Sequence, residues 1–183
     1  MADRGLGAVR EAHRFDEAAL AGWLEDNVAG YAGPLTVSQF SGGQSNPTYK
    51  LHTPSRDYVL RRKPPGALLK GAHAVEREHR VISALHAAGF PTPKTYGLCE
   101  DEGVIGTPFY VMDMVEGRNF WNTAFPDVSR EERTALFDAM NATIASLHSI
   151  DPAAVGLGDY GRPGNYFERQ IGRWSKQYLD DSD

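Results

Sequence analysis

Apolar positions along this chain switch between helical and strand spacing, and the switches mark out its elements. Asp16 can cap a helix with apolar positions Leu20, Trp23, Leu24 and Val28, closed by Gly30, Gly33 and Pro34. Leu35 to Phe40, Thr48 to Thr53 and Asp57 to Lys63 read as three strands. Turns separate them at Ser41-Gly42-Gly43-Gln44-Ser45-Asn46-Pro47 and at Pro54-Ser55-Arg56. Pro64-Pro65-Gly66 stops the third strand, and a long helix is predicted from about Ala72 to Ala88, closed by Gly89. A fourth strand passes through Tyr96 and Leu98, Glu100 to Gly103 reads as a turn, and Pro108 to Met114 is an apolar fifth strand.

After Gly117 helical spacing takes over. Ser129 with Glu132 forms a capping box, and Leu136, Met140, Ile144 and Leu147 then follow at steps of four, four and three. Asp151-Pro152 ends that helix, residues 153–165 are rich in Gly and Pro, and Tyr166 to Leu179 suits a last helix. The expected class is α+β: a five-stranded antiparallel sheet with one inserted helix, then the start of a helical region. The predicted boundaries are a leader at 1–14, a sheet-rich part at 15–114, a linker at 115–119 and a partial helical part at 120–183.

Composition narrows the function without choosing it. The chain has 183 residues, 41% hydrophobic and 23% charged, which suits an ordinary globular protein. Its net charge of −5 argues against a nucleic-acid surface, which needs a basic patch. One cysteine, Cys99, excludes an internal disulfide or a multi-cysteine metal site, and fits a reducing cytoplasm. Met1 to Arg14 lacks the apolar core of a signal peptide, and no apolar run approaches membrane-spanning length, so no membrane partner is expected.

Three segments can carry chemistry. Small residues in the 41–46 turn let backbone N–H groups approach phosphates, and Ser41, Ser45 and Asn46 can add hydrogen bonds, although a Gly-Gly turn can equally be only a turn. Strand alternation puts Val59, Arg61 and Lys63 on one face and Tyr58, Leu60 and Arg62 on the other. Arg61 is thus either a phosphate fork or a solvated strand end. On the long helix, Val75, Glu78, Ile82 and Leu85 share one stripe, so Glu78 lies among apolar residues while Glu76 and Arg80 lie off it. A carboxylate there needs a positive partner, and Arg61 is the candidate. The backbone at Asp113 and Val115 can meet the edge of a planar ligand. Trp121 and Phe125 read as packing residues, and the histidines show no metal-ligand spacing.

Taken together, Phe40–Tyr49, Tyr58–Gly66, Ala72–Val81, Pro91–Lys94, Tyr110–Arg118 and Leu147–Asp151 resemble the aminoglycoside phosphotransferase (choline kinase-like) family of small-molecule kinases. The likeness is nearest to the phosphotransferase domains found alone in bacteria or fused ahead of acyl-CoA dehydrogenases. It implies a protein-kinase-like fold with a nucleotide-binding N-lobe, ATP and Mg2+ as cofactors, and a small-molecule hydroxyl as acceptor. By the resemblance, Ser41, Gly42, Gly43, Ser45 and Asn46 would cover the ATP phosphates. Arg61 would stand where the fold usually has lysine, Glu78 would be its helix partner, and Asp113 and Val115 would hold adenine.

The family's His-x-Asp loop and later Asp motif do not occur in these residues, and Asp151, Asp159 and Asp180 are not in that setting. No catalytic residue and no magnesium ligand is therefore expected here, and the chain alone is not expected to transfer phosphate. The alternatives are a fragment of a kinase, a non-catalytic nucleotide- or protein-binding module, or a domain that binds no nucleotide. An unfinished helical lobe would expose apolar surface and favour self-association.

Overall fold

The computed structural model describes residues 5–41, 45–66, 72–120 and 122–180. Gly42, Gly43 and Trp121, named above, lie outside the described residues.

Among the described residues six strands form one antiparallel sheet: β1 (Leu6–Gly7), β2 (Thr36–Phe40), β3 (Thr48–His52), β4 (Asp57–Arg62), β5 (Thr95–Cys99) and β6 (Phe109–Asp113), in the order β1-β2-β3-β4-β6-β5. The sixth strand is the addition to the expected five. Leu6 and Gly7, in the stretch read as a leader, pair with Phe40 and Gln39. Two residues carry no readable period, so sequence pattern could not have found this strand. The segment is held by side chains as well. Tyr49 Oη donates to the His13 carbonyl at 3.1 Å, and the Arg10 backbone N–H donates to Gln39 Oε1 at 3.0 Å.

One face of the sheet packs on α1 (Glu17–Asn27), whose N-terminus is capped by Asp16 accepting from the Ala18 and Ala19 amides. Leu20 and Leu24 from α1 meet Tyr49, Leu51, Tyr58, Leu60, Phe109 and Val111 in a fully buried core. Trp23 stands edge-on to Phe109, with ring centroids 4.8 Å apart. Its far edge also explains Gly97, in the irregular stretch of β5: a Cβ there would lie 3.0 Å from Trp23 Cη2. Cys99 is buried in the same core, and burial pushes its thiol pKa up, as suits a small apolar side chain.

The opposite face carries α2 (Val75–Ala87), which packs on β5 and β6. This helix starts three residues later than its apolar pattern predicts. His73 adopts φ 58°, a left-handed conformation that a helix cannot include, so the first turn begins after it. The expected turn at Glu100–Gly103 is instead the entry to a one-turn helix, α3 (Glu102–Ile105), with Asp101 accepting from the Gly103 amide.

Beyond β6 the chain is helical, with α4 (Arg130–His148) and α5 (Tyr166–Asp180). Ser129 caps α4 by accepting from the Glu132 amide at 3.1 Å. The stripe of Met140, Ile144 and Leu147 is exposed, as are Phe167, Ile171 and Trp174 on α5. The intervening loop reaches back to α2, where the Arg77 guanidinium lies 4.0 Å from the Tyr160 ring centroid and Arg80 pairs with Asp159.

Candidate phosphate-binding cleft

Strand parity decides which cations at the end of β4 can meet a ligand. Leu60 and Arg62 turn into the α1 face. Arg62 is only 2% exposed, lies between Phe15 and Tyr49 with its guanidinium carbon 5.1 and 5.7 Å from their ring centroids, and donates to the Ile105 carbonyl at 3.0 Å. That carbonyl belongs to the last turn of α3, where a positive charge is favoured. Arg61 turns the other way, towards α2.

There Arg61 Nε donates to Glu78 Oε2 at 2.6 Å and its Nη2 lies 3.4 Å from Glu78 Oε1. The two side chains are 30% and 34% exposed, so the pair is neither a core bridge nor a fully solvated one. Two further donors converge on the same carboxylate, Asn46 Nδ2 at 2.9 Å and Tyr110 Oη at 3.3 Å. Burial, and after it the Glu78 charge, push the Tyr110 pKa up, so its hydroxyl keeps the proton it donates. Two residues earlier on α2, on a different face of the helix, Lys63 Nζ lies 3.0 Å from Glu76 Oε2. Burial opposes the Glu76 charge, but the helix backbone and Lys63 outweigh it and hold its pKa below the usual value.

A guanidinium has five N–H donors, and the contacts of Arg61 with Glu78 and, at 3.4 Å, with Thr48 Oγ1 use three of them. The group is therefore fixed in direction while keeping donors for an anion. That combination suits a phosphate oxygen, because the cation is already oriented before the ligand arrives.

The remaining sequence-predicted residues divide. Ser41 and Ser45 are exposed at the two ends of the glycine-rich turn, and the Ser41 amide donates to the Gly5 carbonyl at 2.5 Å. Asn46 is only 3% exposed and its amide is occupied at both ends, by Glu78 and by His73 Nδ1 at 2.8 Å. It supports the Arg61–Glu78 pair from within instead of offering its side chain at the loop surface. At the end of β6 the Asp113 amide donates to the Lys94 carbonyl at 2.8 Å, and its carboxylate takes Tyr96 Oη at 2.5 Å and Arg56 at 3.1 Å. The Asp113 N–H is thus taken by Lys94. Val115 follows, 64% exposed.

Sequence reasoning missed Tyr110 and His73. Tyr110 was findable, since parity on β6 puts it on the α2 face opposite Phe109 and Val111. His73 gave no such signal, because its position depends on where α2 begins. Among the described residues no group of three or more His, Cys, Asp or Glu is arranged to hold a metal ion, and no helix is long and apolar enough to cross a membrane. A cavity of about 540 Å³ lies between α2, the end of β5 and the loop at Tyr160, lined by residues including His79, Arg80, Leu98 and Tyr160; it does not include Arg61 or Glu78.

Residues 36–183 match the phosphotransferase enzyme family. The chain is 49% identical over 179 residues to the probable acyl-CoA dehydrogenase IBR3 of Arabidopsis thaliana, and 42% identical over 177 residues to human acyl-CoA dehydrogenase family member 11. These alignments take in 93% and 94% of this chain but only 22% and 23% of the relatives. A crystal structure from Ralstonia eutropha JMP134, provisionally described as an aminoglycoside phosphotransferase, is 54% identical with a TM-score of 0.77, over 91% of this chain and 48% of that one. The chain therefore spans about a fifth of the curated relatives and about half of the solved one.

Proposed function

The chain belongs to the phosphotransferase enzyme family, and on that premise we propose that it forms the nucleotide-binding part of an ATP-dependent phosphotransferase acting on a hydroxyl of a small molecule. The observation that carries the reading is Arg61, held by Glu78 at 2.6 Å, partly exposed and with donors to spare.

In this reading ATP supplies the phosphoryl group, and this chain's residues bind and orient it. Arg61 holds a phosphate oxygen, Glu78 fixes the direction of Arg61, and the 41–46 turn covers the phosphates with Ser41 and Ser45 at its ends. The Asp113 carbonyl and the Val115 backbone meet the adenine edge. Phosphoryl transfer also needs magnesium and a residue that orients the acceptor hydroxyl. We assign both to the part of the relatives that these residues do not span. Since relatives carry acyl-CoA dehydrogenase names, a hydroxyacyl-CoA-like compound is the proposed acceptor class. The proposed compartment is the cytoplasm.

A second reading, a non-catalytic protein-binding module, draws on the exposed apolar stripes of α4 and α5. It also allows self-association, which light scattering would detect. Calorimetric titration with Mg-ATP separates the readings, because only the first requires saturable nucleotide binding that depends on Arg61.

A further inference from the structure

The hydrogen bonds around Asn46 fix more than the amide itself. Its Nδ2 lies 2.9 Å from Glu78 Oε1. A carboxylate only accepts, so the NH2 end must face Glu78 and the carbonyl end must face away. That carbonyl oxygen meets His73 Nδ1 at 2.8 Å. An amide oxygen also only accepts, so Nδ1 must carry the proton. His73 itself stands at φ 58°, a conformation uncommon outside glycine but better tolerated by His, Asn and Asp than by most residues. Its carbonyl accepts from the Val75 amide at 2.9 Å, at the very start of α2. Strain of this kind persists where the surroundings enforce it.

We infer that His73 and Asn46 are positioning residues for the Arg61–Glu78 pair: the His73 Nδ1–H sets the Asn46 amide, and the Asn46 amide holds Glu78 against Arg61. The relay ties Asn46, just before β3, to the entry of α2, so the two segments that hold the pair are set together. Its geometry stands on the hydrogen bonds alone, whereas its consequence for nucleotide binding rests on the function proposed above.

Two measurements on the 183-residue chain test it. The first is imidazole 15N NMR at pH 8, where an ordinary histidine is neutral. His73, identified among the six histidines by the signal lost in His73→Asn, is expected as the Nδ1–H tautomer. In Asn46→Ala it should change to a predominantly Nε2–H form. An Nε2–H tautomer in the unmodified chain overturns the inference, whatever the nucleotide does. The second compares His73→Asn with His73→Asp. Both side chains suit the left-handed backbone, but Asn keeps a donor towards Asn46 and Asp presents only acceptors. Mg-ATP affinity should stay within about twofold for Asn and fall roughly tenfold for Asp, the loss expected for one charge-linked hydrogen bond. Equal affinities in the two variants overturn the positioning role. Absence of Mg-ATP binding by the unmodified chain overturns the proposed function instead, and the tautomer then decides the relay.

Discussion

Arg61 and Glu78, seventeen residues apart, meet through a 2.6 Å hydrogen bond that joins β4 to α2. Neither is core and neither is free, and Glu78 is also held by Asn46 and Tyr110. Glu78→Ala releases the guanidinium and leaves those two donors without their acceptor. Mg-ATP affinity should fall several-fold, because Arg61 then loses its preset direction. Calorimetry on Glu78→Ala and Glu78→Gln checks this, with Gln expected to lie between Ala and the unmodified chain.

Arg62, the neighbour of Arg61, is a structural residue. Its guanidinium is buried between Phe15 and Tyr49 and bonded to the Ile105 carbonyl. Arg62→Ala should destabilise the fold by on the order of 3 kcal/mol, from the lost ring contacts and hydrogen bond. Arg62→Met, which refills the space without a charge, should cost less. Urea unfolding of both variants measures the difference.

The edge of the sheet should weaken in alkali. Burial, then the hydrogen bond to Asp113, push the Tyr96 pKa from 10.0 up to about 12. A raised pKa means that the folded chain holds this proton more tightly than the unfolded chain. The contribution is therefore complete below pH 10 and is lost as pH rises from 10 towards 12. Burial also raises the pKa of Tyr31, Tyr49 and Tyr110, so Tyr96→Phe should flatten the alkaline loss of stability without abolishing it. Thermal melts across that range read it directly.

Gly97 is required by its neighbour. A Cβ would lie 3.0 Å from Trp23 Cη2, inside ordinary contact, while Trp23 is pinned against Phe109. Gly97→Ala should cost about 1–3 kcal/mol of overpacking. The double variant Gly97→Ala/Trp23→Phe should recover part of it in the same denaturant assay.

Much of the fold was legible because its signals are local. The strands through Phe40, Tyr49, Leu60, Leu98 and Val111 show in strand spacing and flanking turns, and Asp16 and Ser129 mark helix starts by capping chemistry. Parity on β4 and the apolar stripe of α2 put Arg61 and Glu78 within reach of each other from the sequence pattern. What was not legible depends on distant parts of the chain. β1 exists because Leu6 finds the edge of β2, and α2 starts late because His73 is held by Asn46. Asn46 looked like a loop donor for the same reason: its burial comes from α2, which the local sequence does not show.

The central claim is that Arg61 binds nucleotide phosphate. The most direct measurement is calorimetric titration of the folded chain and of Arg61→Ala with Mg-ATP. The account predicts saturable binding by the unmodified chain and roughly tenfold weaker binding by Arg61→Ala, the cost of one charged hydrogen-bonding group. No binding heat from the folded, unmodified chain, or the same affinity in both, would contradict it.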